Sequence, residues 1–493
     1  MSSIAIEEPL AAARTALAAG RLTEAEAACE ARLAQQAADP RALHLLALVR
    51  FRCGRGEEAL RLLERALRAD PALVAVQSDL GAMQVMLGHP EAALAPLRAA
   101  LALDAGHIEA RTNLGNALHA CGELEAAEAE YRRAVAADAH HGRANLSLGN
   151  LLVQLRRPAE ALPFLEAARA TAPESAAVHA FLGNGLRDAG RVEEAVASYR
   201  RAIALEPGQA EASESLGLML KNGTDYAEAL PLLRASGKPY AHAQALECLL
   251  RLGRHEEFFE EIRGHSEAEA TNLHSASLAA YASWHLGRRD PHPFCPDPLQ
   301  RVRVMDVYTG VGADQAFLQD LIREASQVTA IWEPRGVTTI GGFQTGGNLF
   351  RHGFPALARL ERDILAGLER YRAALMPTSM TMITRWPGTL RLQGWFVRLL
   401  TGGHQHFHNH PFGWMSGCLY LQLPQRAAAG EGAIEFGLES GAYPRLSERP
   451  SPTLLHQPKP GQIAFFPSSL YHRTIPFRSD EERLCIAFDL LPP

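Results

Sequence analysis

The sequence is most informative first for what it lacks. Its seven cysteines (Cys29, Cys53, Cys121, Cys248, Cys295, Cys418 and Cys485) include no Cys-x-x-Cys pair. An odd, scattered set suits free thiols in a reducing compartment better than a disulfide framework. A basic excess is also missing: 49 Lys and Arg against 55 Asp and Glu leave a formal charge of −6. Neither a nucleic acid nor an acidic membrane surface is therefore expected as a partner. No window approaches the roughly 18 uninterrupted apolar residues that span a bilayer. The stretch from Met1 to Gly20 carries Glu7 and Glu8 and has no long apolar core, so it does not read as a signal peptide. The expectation is a cytoplasmic chain. Its 493 residues are enough for two or three domains with their own cores.

What is present is a period. Gly20, Gly54, Gly88, Gly122 and Gly190 fall on a 34-residue grid, with Arg156 in the slot between the last two. Five residues after each stands an alanine: Ala25, Ala59, Ala93, Ala127, Ala161 and Ala195, then Ala229. Gly81, Gly115, Gly149, Gly183 and Gly217 keep the same spacing, each preceded by leucine, as do Ala66, Ala100, Ala134, Ala168 and Ala202. Small residues recur where two helix axes come closest, and neither helix of such a pair buries its apolar stripe alone. The turn glycine ends the first helix of each pair, where a left-handed cap costs it little. Asp39-Pro40, Asp70-Pro71 and Glu206-Pro207 mark the joins, with proline expected to open the next helix. This pattern resembles the tetratricopeptide-repeat (TPR) family over about residues 5 to 235. Weaker helical pairs around Gly253 and Gly287 extend the expected solenoid over 5–289. The resemblance implies a peptide or protein partner on the concave face. Asn116, Asn150 and Asn184 fall in register there as candidates to hydrogen-bond a peptide backbone, although a solvated face tolerates asparagine equally well.

The composition changes at Arg288–Arg301, which holds four prolines and reads as a linker over 290–301. Val302, Val304, Val307 and Tyr308 then suggest a strand, and Leu357, Leu360, Ile364, Leu368 and Tyr371 an amphipathic helix. From Met380 the pattern turns to short strands: Met380–Thr384, Gly394–Leu400, Cys418–Leu423, Ala433–Phe436, Gln462–Phe466 and Leu484–Phe488. Such strands between Gly and Pro turns argue for a sandwich or barrel over 302–493.

The chemistry lies in Gly403-His-Gln-His-Phe-His-Asn-His-Pro411. On a strand, His404, His406, His408 and His410 all face one way. Neighbouring pairs are close enough for two imidazoles to meet one ion. His472 follows a distant strand, and Arg483 opens the last one. His404 and His406 read as groups outside the ligand set, yet a His406/His408 register satisfies the geometry as well. His408-x-His410-Pro, Trp414-Met-Ser-Gly417, Tyr420, Gly461-x-x-x-Phe-Phe-Pro467, His472 and Arg483-x-Cys485-x-Ala-Phe488 resemble the 2-oxoglutarate/Fe(II) oxygenases that often trail a TPR array. Trp332-x-Pro334 and Thr338–Phe350 look like that family's leading segment.

The resemblance covers about residues 302–493 and implies a double-stranded β-helix (jelly roll) behind the α-solenoid. It also implies Fe(II) held by His408, His410 and His472, and 2-oxoglutarate clamped by Arg483 and Tyr420, with no catalytic side chain beyond the metal site. The chain departs from the family's usual pattern in placing His410 where Asp or Glu is common, and Cys485 two residues after the arginine. Replacing carboxylate by imidazole raises the charge of the site by one, and Glu435 is a candidate to supply the missing carboxylate. Two other readings follow from that departure. One is a cupin-type metalloprotein that does not use 2-oxoglutarate, since Gly461-x5-Pro467-x4-His472 matches the second cupin motif; the glutamate expected after the first histidine pair is absent. The other is a TPR scaffold with a non-catalytic barrel.

Overall fold

A computed structural model describes residues 4–264, 269–334, 336–424, 428–439 and 441–492, with side chains from residue 10 onward. Pro493 and residues 265–268, within the spans expected for barrel and solenoid, lie outside the described residues. The chain separates into two compact units, Met1–Leu216 and Gly217–Pro493.

The first unit is a run of paired helices. They are Ile4–Ala18 with Leu22–Gln35, Pro40–Arg52 with Gly56–Ala69, Val74–Met86 with Pro90–Leu103, Ile108–Ala120 with Leu124–Ala137, Gly142–Gln154 with Pro158–Thr171, and Ala176–Asp188 with Val192–Leu205. The alanine combs are buried at the helix contacts. A Cβ added at Gly183 would sit 2.5 Å from Tyr199 Cε1, so only glycine lets the second helix approach. The turn glycines adopt the left-handed conformation, and Arg156 adopts it in their place at φ 61°. The joins differ from expectation. Pro40 opens its helix behind the capping Asp39, but Pro71 and Pro207 lie in the turns before Val74 and Ala210. Proline shortly after a helix end is the other arrangement its missing N–H favours.

The second unit begins with helices of the same kind, Tyr226–Ala235, Pro239–Arg251, His255–Arg263 and Leu273–Leu286. Residues 290–301 follow, with Phe294 fully buried and its ring 5.2 Å from that of Trp414. The strands are β1 (Arg303–Asp306), β2 (Ala330–Trp332), β3 (Thr339–Thr345), β4 (Leu392–His408), β5 (Met415–Gln422), β6 (Ile434–Gly437), β7 (Thr453–His456), β8 (Gln462–Pro467), β9 (Tyr471–Thr474) and β10 (Arg483–Leu490). All pairings are antiparallel, in the order β1-β8-β5-β10-β4-β9-β6-β7, with β3 and β2 branching from β4. The long β4 serves both halves: its first part pairs with β10 and its last residues with β9. The sheet curls on itself, so Phe436 of β6 meets Phe466 of β8 with ring centroids 5.0 Å apart. This order and curl make a double-stranded β-helix.

Period-two alternation divides the sheet's two faces. Leu484, Ile486, Phe488 and Leu490 of β10 join Leu357, Leu360, Ile364 and Leu368 of the helix Pro355–Ala374 in one core. Cys485 instead shares an inner cluster with Val397, Leu399, Tyr420, Phe436 and Phe466. Arg483, Cys485, Ala487 and Asp489 therefore look into the barrel. One expected strand is absent: Thr381–Thr384 is a helical turn. The N–H groups of Thr381 and Met382 donate to the carbonyls of Pro293 and Phe294 at 2.8 and 3.1 Å, where a strand would have turned them to a neighbour in the sheet. Among the described residues no helix is long and apolar enough to cross a membrane.

Candidate metal centre

Three imidazoles converge at one end of the barrel interior. One ring nitrogen from each of His408, His410 and His472 lies within 4.8 Å of the others. Ring centroids of His408 and His472 are 4.3 Å apart, because these residues face each other across β4 and β9. His410 lies just past the end of β4, where its backbone N–H donates to Ser468 O at 3.0 Å. The Trp395 ring stands 5.5 Å from that of His410 and forms a wall.

The histidine comb does not keep one face. The register slips between Gln405↔Thr474 and His408↔His472, three residues on β4 against two on β9. An extra residue of this kind is a β-bulge, and it turns the side chains before it to the opposite side. His404 and His406 accordingly face each other, with centroids 4.8 Å apart and His406 exposed, away from the three-histidine group. Glu435 is also elsewhere: it accepts from Arg473 Nε at 2.6 Å.

Each ligand candidate is oriented through Nδ1. That atom lies 2.7 Å from His406 O in His408, 2.6 Å from Asp489 Oδ1 in His410 and 3.4 Å from Leu470 O in His472. Donation from Nδ1 to these acceptors leaves the Nε2 lone pair for a metal. Burial, with its neighbour His410 adding to it, pushes His408 down to about 4. Burial also holds His472 well below the ordinary histidine value. Both rings are thus neutral at physiological pH, the form that binds metal.

Asp489 was not foreseen. Its Oδ1 also accepts from Ser416 Oγ at 2.6 Å, and Ser416 bonds Ser468 Oγ at 2.7 Å, all in the buried end of the barrel. A carboxylate that accepts from a ligand imidazole raises the ring's basicity and returns one negative charge to the site. The donor set therefore suits a divalent cation although no carboxylate touches the metal position directly. The signal was in the sequence: stepping by two from Arg483 through Cys485 and Ala487 arrives at Asp489.

Farther along the same face Arg483 is 1 % exposed, with Nε donating to Gly432 O at 3.1 Å and Nη1 facing Cys485 Sγ at 3.4 Å. Among the described residues it has no carboxylate partner. Its guanidinium lies 5.3 Å from the Tyr420 ring, and among the described residues the buried Tyr420 hydroxyl has no hydrogen-bond partner. Hydrogen bonding from Cys418 and the charge of Arg483 hold the Cys485 thiol below its ordinary value. A buried cation beside an orphaned hydroxyl is expensive unless an anion completes it.

The in-register asparagines lie on the first helices of their repeats. Asn116 Oδ1 accepts from Tyr131 Oη at 2.7 Å, and Asn184 Oδ1 from Tyr199 Oη at 2.7 Å. Asn150 has Leu165 at the equivalent position and lacks this bond.

A helical-repeat chain ending in a histidine-lined double-stranded β-helix is thus the class that fold and site define. Residues 393–489 match the family model described as "Putative 2OG-Fe(II) oxygenase". Tetratricopeptide-repeat models match residues 10–73, 108–141, 126–184 and 183–223. The family models thus show tetratricopeptide repeats within residues 10–223 and a C-terminal "Putative 2OG-Fe(II) oxygenase" domain at residues 393–489. Similar solved structures include that of MamA, 25% identical, covering 34% of this chain and 97% of that chain with a TM-score of 0.29. The Cut9–Hcn1 hetero-tetramer of APC/C is 14% identical over 45% of each chain, with a TM-score of 0.43. TTC0263, a TPR protein of Thermus thermophilus, is 22% identical over 37% of this chain and 98% of that chain, with a TM-score of 0.34. No curated protein matches the chain.

Proposed function

We propose that the chain is a 2-oxoglutarate- and Fe(II)-dependent dioxygenase whose TPR array, within residues 5–289, brings a peptide or protein substrate to the barrel of residues 302–493. The observation that carries this reading is Arg483: a fully buried guanidinium without a carboxylate partner among the described residues, on the same interior face as the three-histidine end. His408, His410 and His472 would hold Fe(II) through ring nitrogens. When bound, Fe(II) and 2-oxoglutarate supply dioxygen activation, with the co-substrate released as succinate and CO2 while the substrate gains a hydroxyl. The work of this chain's own residues is positional. Arg483 and the free Tyr420 hydroxyl hold the far carboxylate of the co-substrate through charge-assisted hydrogen bonds. Asp489 keeps the His410 ring in one orientation, and Trp395 and Phe466 beside the imidazoles exclude water. The amide groups of Asn116, Asn150 and Asn184, one per repeat, contact the peptide backbone, and tethering raises the substrate's local concentration. A cytoplasmic setting completes the reading.

Purified protein supplied with Fe(II), 2-oxoglutarate and oxygen is expected to release succinate, and Arg483→Ala to lose that turnover. Unchanged turnover in Arg483→Ala overturns the assignment. The all-imidazole donor set favours one second reading, a cupin-type metalloprotein. It is selected if metal binds equally well in wild type and Arg483→Ala and 2-oxoglutarate has no effect on either.

A further inference from the structure

The hydroxyl of Ser277 meets both chain segments that carry the imidazoles. Ser277 is buried about one turn into the helix Leu273–Leu286. Its Oγ accepts from Asn409 Nδ2 at 3.1 Å and lies 2.6 Å from Ser469 O and 2.8 Å from Leu273 O, so its single proton goes to one of these carbonyls. Asn409 stands between His408 and His410. Ser469 follows Ser468, whose carbonyl holds the His410 backbone N–H, and precedes Leu470, whose carbonyl faces His472 Nδ1. One side chain thus joins the turn that carries two ligands to the segment that leads into the third.

The helix that carries it is fixed. Asn272 caps its start by accepting from the N–H groups of His274 and Ser275, and Gly287 ends it in the left-handed conformation. Farther along, Tyr281 Oη donates to Pro444 O at 2.7 Å and Trp284 Nε1 to Pro450 O at 3.0 Å. Alanine would suit this buried helical position better than serine on propensity and desolvation alone. The hydroxyl is offset only by the bonds it makes, and two of its three partners belong to the ligand-bearing segments.

We infer that Ser277, well outside the matched residues 393–489, is a positioning residue of the metal centre: it sets the spacing between the His408–His410 turn and the His472 segment. This rests on the reading of the three histidines as a metal site. By linkage, metal binding and the seating of this helix stabilise each other.

The test is a Co(II) titration of the full chain, followed by visible absorption, for wild type, His472→Ala, Ser277→Ala, Ser277→Thr and Asn409→Ala. Wild type is expected to take up one Co(II) and His472→Ala to lose it. Ser277→Ala and Asn409→Ala are each expected to bind about tenfold more weakly with an altered absorption band, and Ser277→Thr to return to within about threefold of wild type. The Ser277→Ala/Asn409→Ala double variant should be no weaker than Ser277→Ala alone, which already removes the bond to Asn409 together with that to Ser469. Wild-type affinity in Ser277→Ala overturns this inference and leaves the metal site standing, whereas a wild type that takes up no Co(II) overturns both. If Ser277→Ala fails to fold, Asn409→Ala decides, and unchanged affinity there overturns the inference.

Discussion

The repeat unit and the barrel interior differ in how they treat a buried guanidinium and buried tyrosine hydroxyls. In the repeats they are matched: Arg32 with Asp39 at 2.7 Å, Tyr131 with Asn116, Tyr199 with Asn184, whereas Gln84 Oε1 and Ser213 Oγ are buried without a hydrogen-bond partner among the described residues. In the barrel, among the described residues, a guanidinium is buried without a carboxylate and a tyrosine hydroxyl without a hydrogen-bond partner. Three imidazoles crowd together with their ring nitrogens mutually close. The repeats pair the cation they bury with a carboxylate; the barrel buries one with no described carboxylate beside it. The contrast marks the barrel interior as the candidate site.

The largest expected effect concerns that imbalance. Arg483→Met removes a buried charge and keeps the side chain's length. We expect metal-free protein to become about 1–4 kcal/mol more stable in chemical denaturation, as when buried ions are replaced by apolar groups. The same variant should lose about 2–5 kcal/mol of 2-oxoglutarate binding, the usual cost of truncating one side of a buried charge pair. If stability instead falls, the guanidinium is compensated inside the barrel and the contrast between the two regions breaks.

The repeat unit should respond to crowding rather than to charge. Gly183→Ala forces a methyl against the buried Tyr199 ring and is expected to destabilise by about 1–3 kcal/mol in thermal or denaturant unfolding. Gly149→Ala meets Leu165 Cγ at 2.6 Å and Cδ2 at 2.7 Å, on a side chain that turns aside more readily than a tyrosine ring, and should cost less. Equal costs at the two sites would show that the contact ring does not set the spacing.

The two regions also differed in how far they could be read from sequence. The repeats were legible because each signal recurs: a glycine or alanine that means little once is decisive when it returns at one spacing. Barrel strands were legible where alternation ran over several residues, as in Gly394–Leu400 and Leu484–Phe488. The segment Met380–Thr384 misled because its alternating Met, Thr and Ile resemble a strand. Its backbone partners are Pro293 and Phe294, which local pattern cannot reveal. A single bulge between Gln405 and His408 decided which histidines look inward. Ser277 gave no signal at all, since its meaning comes from residues more than a hundred positions later.

Asp489 tests whether the barrel's imbalance is organised around the histidines. Asp489→Asn keeps the size of the side chain but replaces a charged acceptor of the His410 ring with a neutral one. Metal affinity is expected to fall about 10–100-fold, measured by competition titration, with little change in the stability of the metal-free protein. Unchanged affinity would mean that His410 needs no carboxylate behind it.

The smallest effect lies in the repeats, at the one turn that breaks its own rule. Arg156 occupies the slot that glycine fills at positions 20, 54, 88, 122 and 190, and it takes the same left-handed backbone, φ 61°. For a residue with a Cβ that conformation is disfavoured by roughly 1–2 kcal/mol. Its side chain is 86% exposed and reaches Asp188 Oδ2 only at 3.8 Å, so the ion pair contributes little. Arg156→Gly should therefore stabilise the chain by about 1 kcal/mol, seen as a higher denaturation midpoint with unchanged slope. Glycine also gains freedom in the unfolded state, which trims the benefit and makes this the smallest of the four effects. A loss of stability would mean that the guanidinium contributes more at this turn than exposed pairs do, and that the break in the glycine comb is held by its side chain.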